Sequence, residues 1–194
     1  MKNLLKPFVA ILLLSIFIAG CKNDEEETVK NYFNYNGTEF SLSQGFLENY
    51  GKYGTDEGFN IDLSLLSSGF TVNESNGEVE SVTGTGDGLY FEIYTSLPDK
   101  LDIRDYTYDA TESYAAGTFS YGMFGTGFSI ENETGSLFDI TGGKVSVTSN
   151  GSEYEITINC TSSNGKTITG HYKGPLKYYN YDKKKKSALR FPSK

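Results

Sequence analysis

Between residues 31 and 181 apolar positions recur at every second residue, and no stretch holds a sustained helical period. Phe59, Ile61, Leu63 and Leu65 alternate with Asn60, Asp62 and Ser64. Leu89, Phe91 and Ile93 alternate with Tyr90, Glu92 and Tyr94. Val145 and Val147 alternate with Lys144, Ser146 and Thr148, and Tyr154, Ile156, Ile158 and Cys160 with Glu155, Thr157 and Asn159. Ile168 and Tyr172 flank Gly170 and alternate with Thr167, Thr169 and His171. Side chains on a strand point to opposite faces in turn, so each run predicts an antiparallel strand with one buried face and one wet face.

Asn36-Gly37, Asn150-Gly151 and Asn164-Gly165 each mark a hairpin, and the flanking residues test the register. A two-residue turn at Asn36-Gly37 sets Tyr35 against Thr38 and Phe33 against Phe40. A two-residue turn at Asn150-Gly151 sets Val147 against Tyr154 and Val145 against Ile156. The same turn at Asn164-Gly165 would oppose Ile158 and His171, apolar against polar. A three-residue loop, Ser163 to Gly165, instead opposes Cys160 and Ile168, Ile158 and Gly170, Ile156 and Tyr172. That loop predicts Gly165 in the left-handed region with a bulge. Residues 144–174 are thus expected to form a three-stranded meander.

Further strands are expected near 117–123, 126–131 and 137–141. The segment 98–116 carries no clear period, and 67–87 reads as containing a loop because it is poor in apolar residues. The expected fold is an all-β antiparallel sandwich of about eight to ten strands over 31–181, with a closed lipocalin-like barrel as the alternative. Phe33, Phe40, Ile61, Leu63, Phe91, Val147 and Ile158 filling the interior would favour the sandwich. A large interior cavity would favour the barrel and a small-ligand carrier. The tail from Asp182 to Lys194, with Lys183 to Lys186 in a row, is expected to lie outside the fold and to be mobile.

Composition agrees with the pattern. Gly (22) and Tyr (15) are abundant, Pro is scarce (4) and Trp is absent. One His and two Cys exclude zinc fingers and iron–sulfur clusters, so no metal or cofactor is expected.

The N-terminus changes the picture most. Lys2 and Lys6 precede an apolar run from Phe8 to Ile18, too short to span a bilayer as a stable helix. Ile18-Ala19-Gly20-Cys21 follows, an aliphatic residue and two small ones before a cysteine. This resembles the bacterial lipobox and implies cleavage before Cys21, with residues 1–20 as signal peptide and Cys21 as the lipidation site. Two or three fatty chains, at about 0.8 kcal/mol per buried methylene, would anchor the protein stably. Residues 21–30 form an acidic linker. Within it Lys22-Asn23-Asp24-Glu25-Glu26-Glu27 resembles the acidic export signal of surface lipoproteins in Bacteroidota, which implies display at the outer membrane.

Losing Lys2 and Lys6 with the leader takes the formal charge from −8 to −10, because no acidic residue goes with them. Such a surface repels nucleic acid, so attachment is expected through the lipid and not through a basic face.

Candidate chemistry is sparse. With Cys21 lipidated, Cys160 is left without a disulfide partner, and its strand position points it into the core. His171 would serve as a general base only beside a nucleophile and an orienting acid. The hairpin register puts it on the opposite face from Cys160, toward solvent beside Thr169. Asp99, Asp102, Asp105 and Asp109 are candidate oxygen ligands for a calcium ion, although their spacing at three and four residues differs from the alternate-residue pattern of an EF-hand loop. Gly84-Thr85-Gly86-Asp87-Gly88 is a weaker acidic loop. The glycines of 117–128 open no helix after a strand and so form no phosphate loop.

The lipobox, the acidic leader and the closing stretch Gly143 to Val147, Asn164-Gly165-Lys166 and Gly170 to Leu176 together resemble the small surface lipoproteins that Bacteroidota encode in quantity. The resemblance implies a location and an all-β domain, and no activity. The chain lacks the Gly-x-Trp motif of a lipocalin first strand. The expected role is a non-catalytic binding or adhesion module at the cell surface, engaging an extracellular glycan or protein. The alternatives are a polymer hydrolase and a small-ligand carrier.

Overall fold

A computed structural model describes residues 29–52, 54–181 and 189. The expected signal peptide (1–20), Cys21, most of the expected linker 21–30 and all of the tail 182–194 except Leu189 lie outside the described residues. The fold is all-β, with two thirds of the described residues in strands and none in a helix. The strands are β1 (Tyr32–Tyr35), β2 (Thr38–Ser41), β3 (Gln44–Gly51), β4 (Phe59–Leu66), β5 (Phe70–Ser75) and β6 (Glu78–Thr95). There follow β7 (Asp105–Tyr108), β8 (Thr118–Ser129), β9 (Thr134–Asn150), β10 (Tyr154–Ser162), β11 (Thr167–Gly174) and β12 (Lys177–Asn180).

They form one sheet in the order β12-β3-β4-β6-β8-β7-β9-β10-β11-β1-β2, with β5 paired to the first part of β6. The sheet curls into a half-barrel. Within the curl β2 runs into β3 after only Leu42 and Ser43, and β1 packs across to β8, with Tyr35 and Phe124 ring centroids 4.7 Å apart. The described residues form twelve strands where eight to ten were expected, and two of their pairings, β12–β3 and β7–β8, are parallel. Both parallel partners are four-residue strands whose side chains give too short a pattern to read.

The curl encloses a side-chain core. Phe33, Ile61, Leu63, Phe91, Val147 and Ile158 are all at most 2% exposed there, with Phe40 packed against them. The interior is filled by these residues in the manner of a sandwich.

Two hairpins have the expected register. Phe33 faces Phe40 across Asn36-Gly37, which has φ of 50° and 81° as a type I′ turn requires. Cys160 faces Ile168 and Ile156 faces Tyr172 across the loop 163–165, where Gly165 has φ 77° and its N–H donates to Ser162 O at 2.8 Å. The hairpin at Asn150-Gly151 differs. Its loop is Gly151 to Glu153, so Tyr154 pairs with Asn150, and a bulge at Thr148 then brings Ile156 opposite Val147. The pairing moves by two residues, which keeps every side chain on its expected face.

Residues 67–87, expected to contain a loop, hold β5 and the first part of β6 with a turn between them at Asn76-Gly77 (φ 54° and 77°), a fourth Asn-Gly hairpin. Other expectations are corrected. The expected strands 117–123 and 126–131 are one strand, β8, and 137–141 is continuous with the first strand of the meander as β9. The wet face expected of β4 and β6 is covered as well. A second cluster on the outside of the curl includes Phe46, Leu66, Phe70, Val82, Tyr90, Met123, Tyr179 and Leu189. Leu189, from the stretch expected to be a mobile tail, is 4% exposed there.

Candidate functional site

The outer face of the central strands carries an arrangement that the sequence does not display. Cross-strand partners there run Tyr179 (β12), Glu48 (β3), Asp62 (β4), Glu92 (β6) and Tyr121 (β8). Three carboxylates thus stand side by side, flanked by tyrosines. Glu48 is 0% and Asp62 5% exposed. Asp62 accepts hydrogen bonds from the Tyr90 hydroxyl and from Asn60 Nδ2 at 3.2 Å.

At its β6–β8 end this row opens into a cleft of about 430 Å³, lined by Asn60, Glu92, Tyr94, Glu112, Tyr114, Ser120 and Tyr121. The floor comes from β4, β6 and β8, and the rim from the loop after β7. Tyr94 and Tyr114 lean together at 5.0 Å between centroids and 38° between planes. Tyr121 meets Tyr90 edge-on at 62°. Tyr114 donates to Glu112 Oε2 at 3.1 Å.

The rim is positioned by Asp109. Its Oδ1 accepts from Thr111 N at 2.9 Å and Thr111 Oγ1 at 2.6 Å, and its Oδ2 accepts from Ser113 N at 2.9 Å and Ser113 Oγ at 2.5 Å. Those bonds, Ser113 and Thr111 side chains foremost, hold its carboxyl well below the usual range. The turn they define puts Glu112 and Tyr114 at φ 52° and 58°, a conformation that costs any non-glycine residue about 1–2 kcal/mol. Tyr114 O then accepts from Gly58 N, and Tyr94 O from Gly117 N, both at 2.8 Å, so both ends of the loop are tied to the sheet. Glu112, with its hydrogen bond and charge, and then burial, Glu92 and Glu57 raise the Tyr114 phenol. Burial above all, then Glu92, Tyr114 and Asp62, raises that of Tyr94, against the hydrogen bond with Ser120.

The other acids of that segment are held apart. Asp102 accepts from Ser96 N at 3.1 Å and lies 3.5 Å from Arg104 Nη1. Asp105 accepts from Lys144 at 2.7 Å and Ser146 at 2.5 Å. Asp87 accepts from Gly127 N at 2.8 Å. Among the described residues no three carboxylate, histidine or cysteine groups are placed to hold a metal ion.

Cys160 and His171 lie on opposite faces, as the register requires. Cys160 is 1% exposed, its Sγ 3.5 Å from Lys144 O, and burial pushes the thiol up to about 12. His171 shares the face of Thr169 but is half-buried. Its Nδ1 lies 3.3 Å from Lys30 O and its Nε2 3.3 Å from Glu155 Oε1. The expected solvent-facing histidine is therefore partly covered, by a neighbouring strand's glutamate and by the chain just before β1. Cys21 lies outside the described residues.

A second cleft, about 450 Å³, lies near Gln44, Gly45, Val72, Tyr172 and Leu176. Among its lining charges Lys177 pairs with Glu74, which also accepts from the Tyr179 hydroxyl at 2.7 Å, and Lys173 lines the cleft as well. The tyrosine cleft is the better candidate because strained rim residues present its aromatic and acidic groups. No family model, curated protein or solved structure matches this chain.

Proposed function

We propose that this chain is a lipid-anchored lipoprotein of the bacterial outer membrane, displayed at the cell surface, that works as a non-catalytic binding or adhesion module. Its ligand, an extracellular glycan or protein, occupies the tyrosine and carboxylate cleft. The observation that carries the reading is Tyr114. A bulky residue in the left-handed region is a strained choice that the surrounding structure must over-determine, and such strain gathers at binding sites. Here it serves to hold a tyrosine ring over Tyr94 at the mouth of a cleft. The anchor rests on the lipobox ending in Cys21 and the acidic residues after it. The non-catalytic reading is favoured by the separation of Cys160 from His171 and by the contacts at both His171 ring nitrogens.

Metabolic labelling with a clickable fatty acid tests the anchor: the label is expected on the wild type and absent from Cys21→Ala. Protease shaving of intact cells should remove the protein, and survival would place it on the periplasmic side. Wild type and Tyr114→Ala are then compared on a glycan array and against proteins of spent culture medium. A ligand retained by the wild type and lost by the variant is expected. Equal retention by both would remove the cleft from the account.

A further inference from the structure

We infer that the tyrosine cleft receives a positively charged side chain, lysine or arginine, from an exposed segment of a partner polypeptide. This rests on the cleft being the binding site and goes on to name what enters it. Ring geometry is the first argument. A sugar stacks on a flat aromatic platform, whereas Tyr94 and Tyr114 are inclined by 38° and Tyr121 lies near them among the lining residues. Tyr94 and Tyr114 pack on each other at 5.0 Å between centroids, so an ammonium or guanidinium group is accepted against the outer side of this pair and not between the rings.

Charge is the second argument. Glu92 and Glu112 line the cleft, Asp62 stands directly opposite Glu92 on the next strand, and none of the described lining residues is basic. A sugar hydroxyl gains a donated hydrogen bond to a carboxylate, whereas a cation gains that bond, the charge attraction and the steering of a chain with formal charge −8 before processing. Shape is the third. The site is a shallow cleft on the surface, suited to one or two side chains of a passing segment, while the interior of the curl is packed.

Calorimetric titration of the full chain in neutral detergent tests this. The probe is an acetylated octapeptide of alternating glycine and lysine, with the glutamate analogue and cellohexaose as comparisons. Binding of the lysine peptide is expected, at least tenfold weaker for Tyr114→Ala and for Glu112→Gln, and weakened on raising salt from about 50 to about 500 mM. Tyr114→Phe, which keeps the ring face, should retain most of the affinity, and Glu39→Gln, which removes an equal charge from β2, should retain nearly all. Failure of the lysine peptide to bind, or equal loss in Glu39→Gln and Glu112→Gln, overturns the inference. Cellohexaose bound in place of the lysine peptide, with loss in Tyr114→Ala, overturns the charge class and leaves the cleft standing. Lysine-peptide binding indifferent to Tyr114→Ala overturns the cleft as well.

Discussion

Cys160 is the sharpest probe of the register. It sits on β10 between Gly143 of β9 and Ile168 of β11, with 1% of its surface exposed. Two barriers protect it from thiol reagents. The reactive species is the thiolate, and a thiol raised from 9.0 to about 12 is ionised at pH 8 about three orders of magnitude less than an ordinary one. Burial adds the requirement that the strand open first. In a Cys21→Ala chain Cys160 is the only thiol, so labelling by an aromatic disulfide reagent reads it alone. The expected rate in native buffer is at least a thousandfold below that of the unfolded chain. It should rise with urea in parallel with the global unfolding equilibrium. Cys160→Ala should cost about 1–2 kcal/mol, a small cavity in a packed layer. The thiol also sets a sign. It is protonated in the folded chain and ionises first in the unfolded one, so its contribution is complete below about pH 9 and is lost as pH rises toward 12. Native-state labelling at the rate of a free thiol, independent of urea, would show that Cys160 faces outward and that the pairing of β10 with β11 is wrong.

Alkali should loosen the whole domain by the same rule. Burial pushes the Tyr106 phenol up to about 12 and raises Tyr94, Tyr154, Tyr172 and Tyr179, so melting temperature by circular dichroism should fall as pH climbs above about 10; a flat profile to about pH 11.5 would contradict the burial of these hydroxyls. Gly143 has φ 98°, and an added Cβ would lie 2.3 Å from Asn159 O and 2.5 Å from Cys160 Cα. Gly143→Ala should therefore cost about 2–5 kcal/mol in urea melts, whereas Gly77→Ala, at φ 77° with open space around it, should cost only about 1–2. Asp109→Ala should remove hydrogen-exchange protection at Thr111 and Ser113 and release the cleft rim, leaving strand amides protected. In the wild type that rim should stay ordered above the usual carboxylate range and loosen only as pH falls through the lowered Asp109 value.

The strands and their faces were legible because period-two alternation is a local property. Phe33 against Phe40 and Cys160 against Ile168 follow from turn length and parity alone. The Asn150 hairpin slipped by two because a bulge leaves no compositional mark when it preserves the faces. Asn76-Gly77 carries the same turn signal as its three counterparts, but the flanking Glu, Ser and Asn give no apolar alternation to mark the strands on either side. The candidate site was not legible. Glu92 and Asp62 were placed on the polar side of their strands, yet nothing local says that β4 and β6 are neighbours with these two residues opposite. Glu48 lay in a segment with no assigned strand. Asp109 drew notice as a cation ligand, and its bonds to Thr111 and Ser113 make it a loop organiser.

The carboxylate row explains why the outer face, rather than the packed interior, is the place to look for a ligand. Carboxylates directly opposite one another on neighbouring strands repel when both are ionised, and Glu48, Asp62 and Glu92 stand opposite in two successive pairs. Asn60 and the Tyr90 hydroxyl offset part of that at Asp62 by donating to it. A sheet shaped by stability alone would carry threonine or valine in those positions, as β-propensity and packing both favour. The interior face of the same strands follows that rule, with Ile61, Leu63, Phe91 and Ile93 all fully buried. The departure is thus confined to one face. It ends where the second cluster gives way to the cleft, with Glu92 and Tyr121 belonging both to the row and to the lining. The row leads to an aromatic opening at its Glu92 end, and on the proposed reading that carboxylate is placed there to recognise a cation.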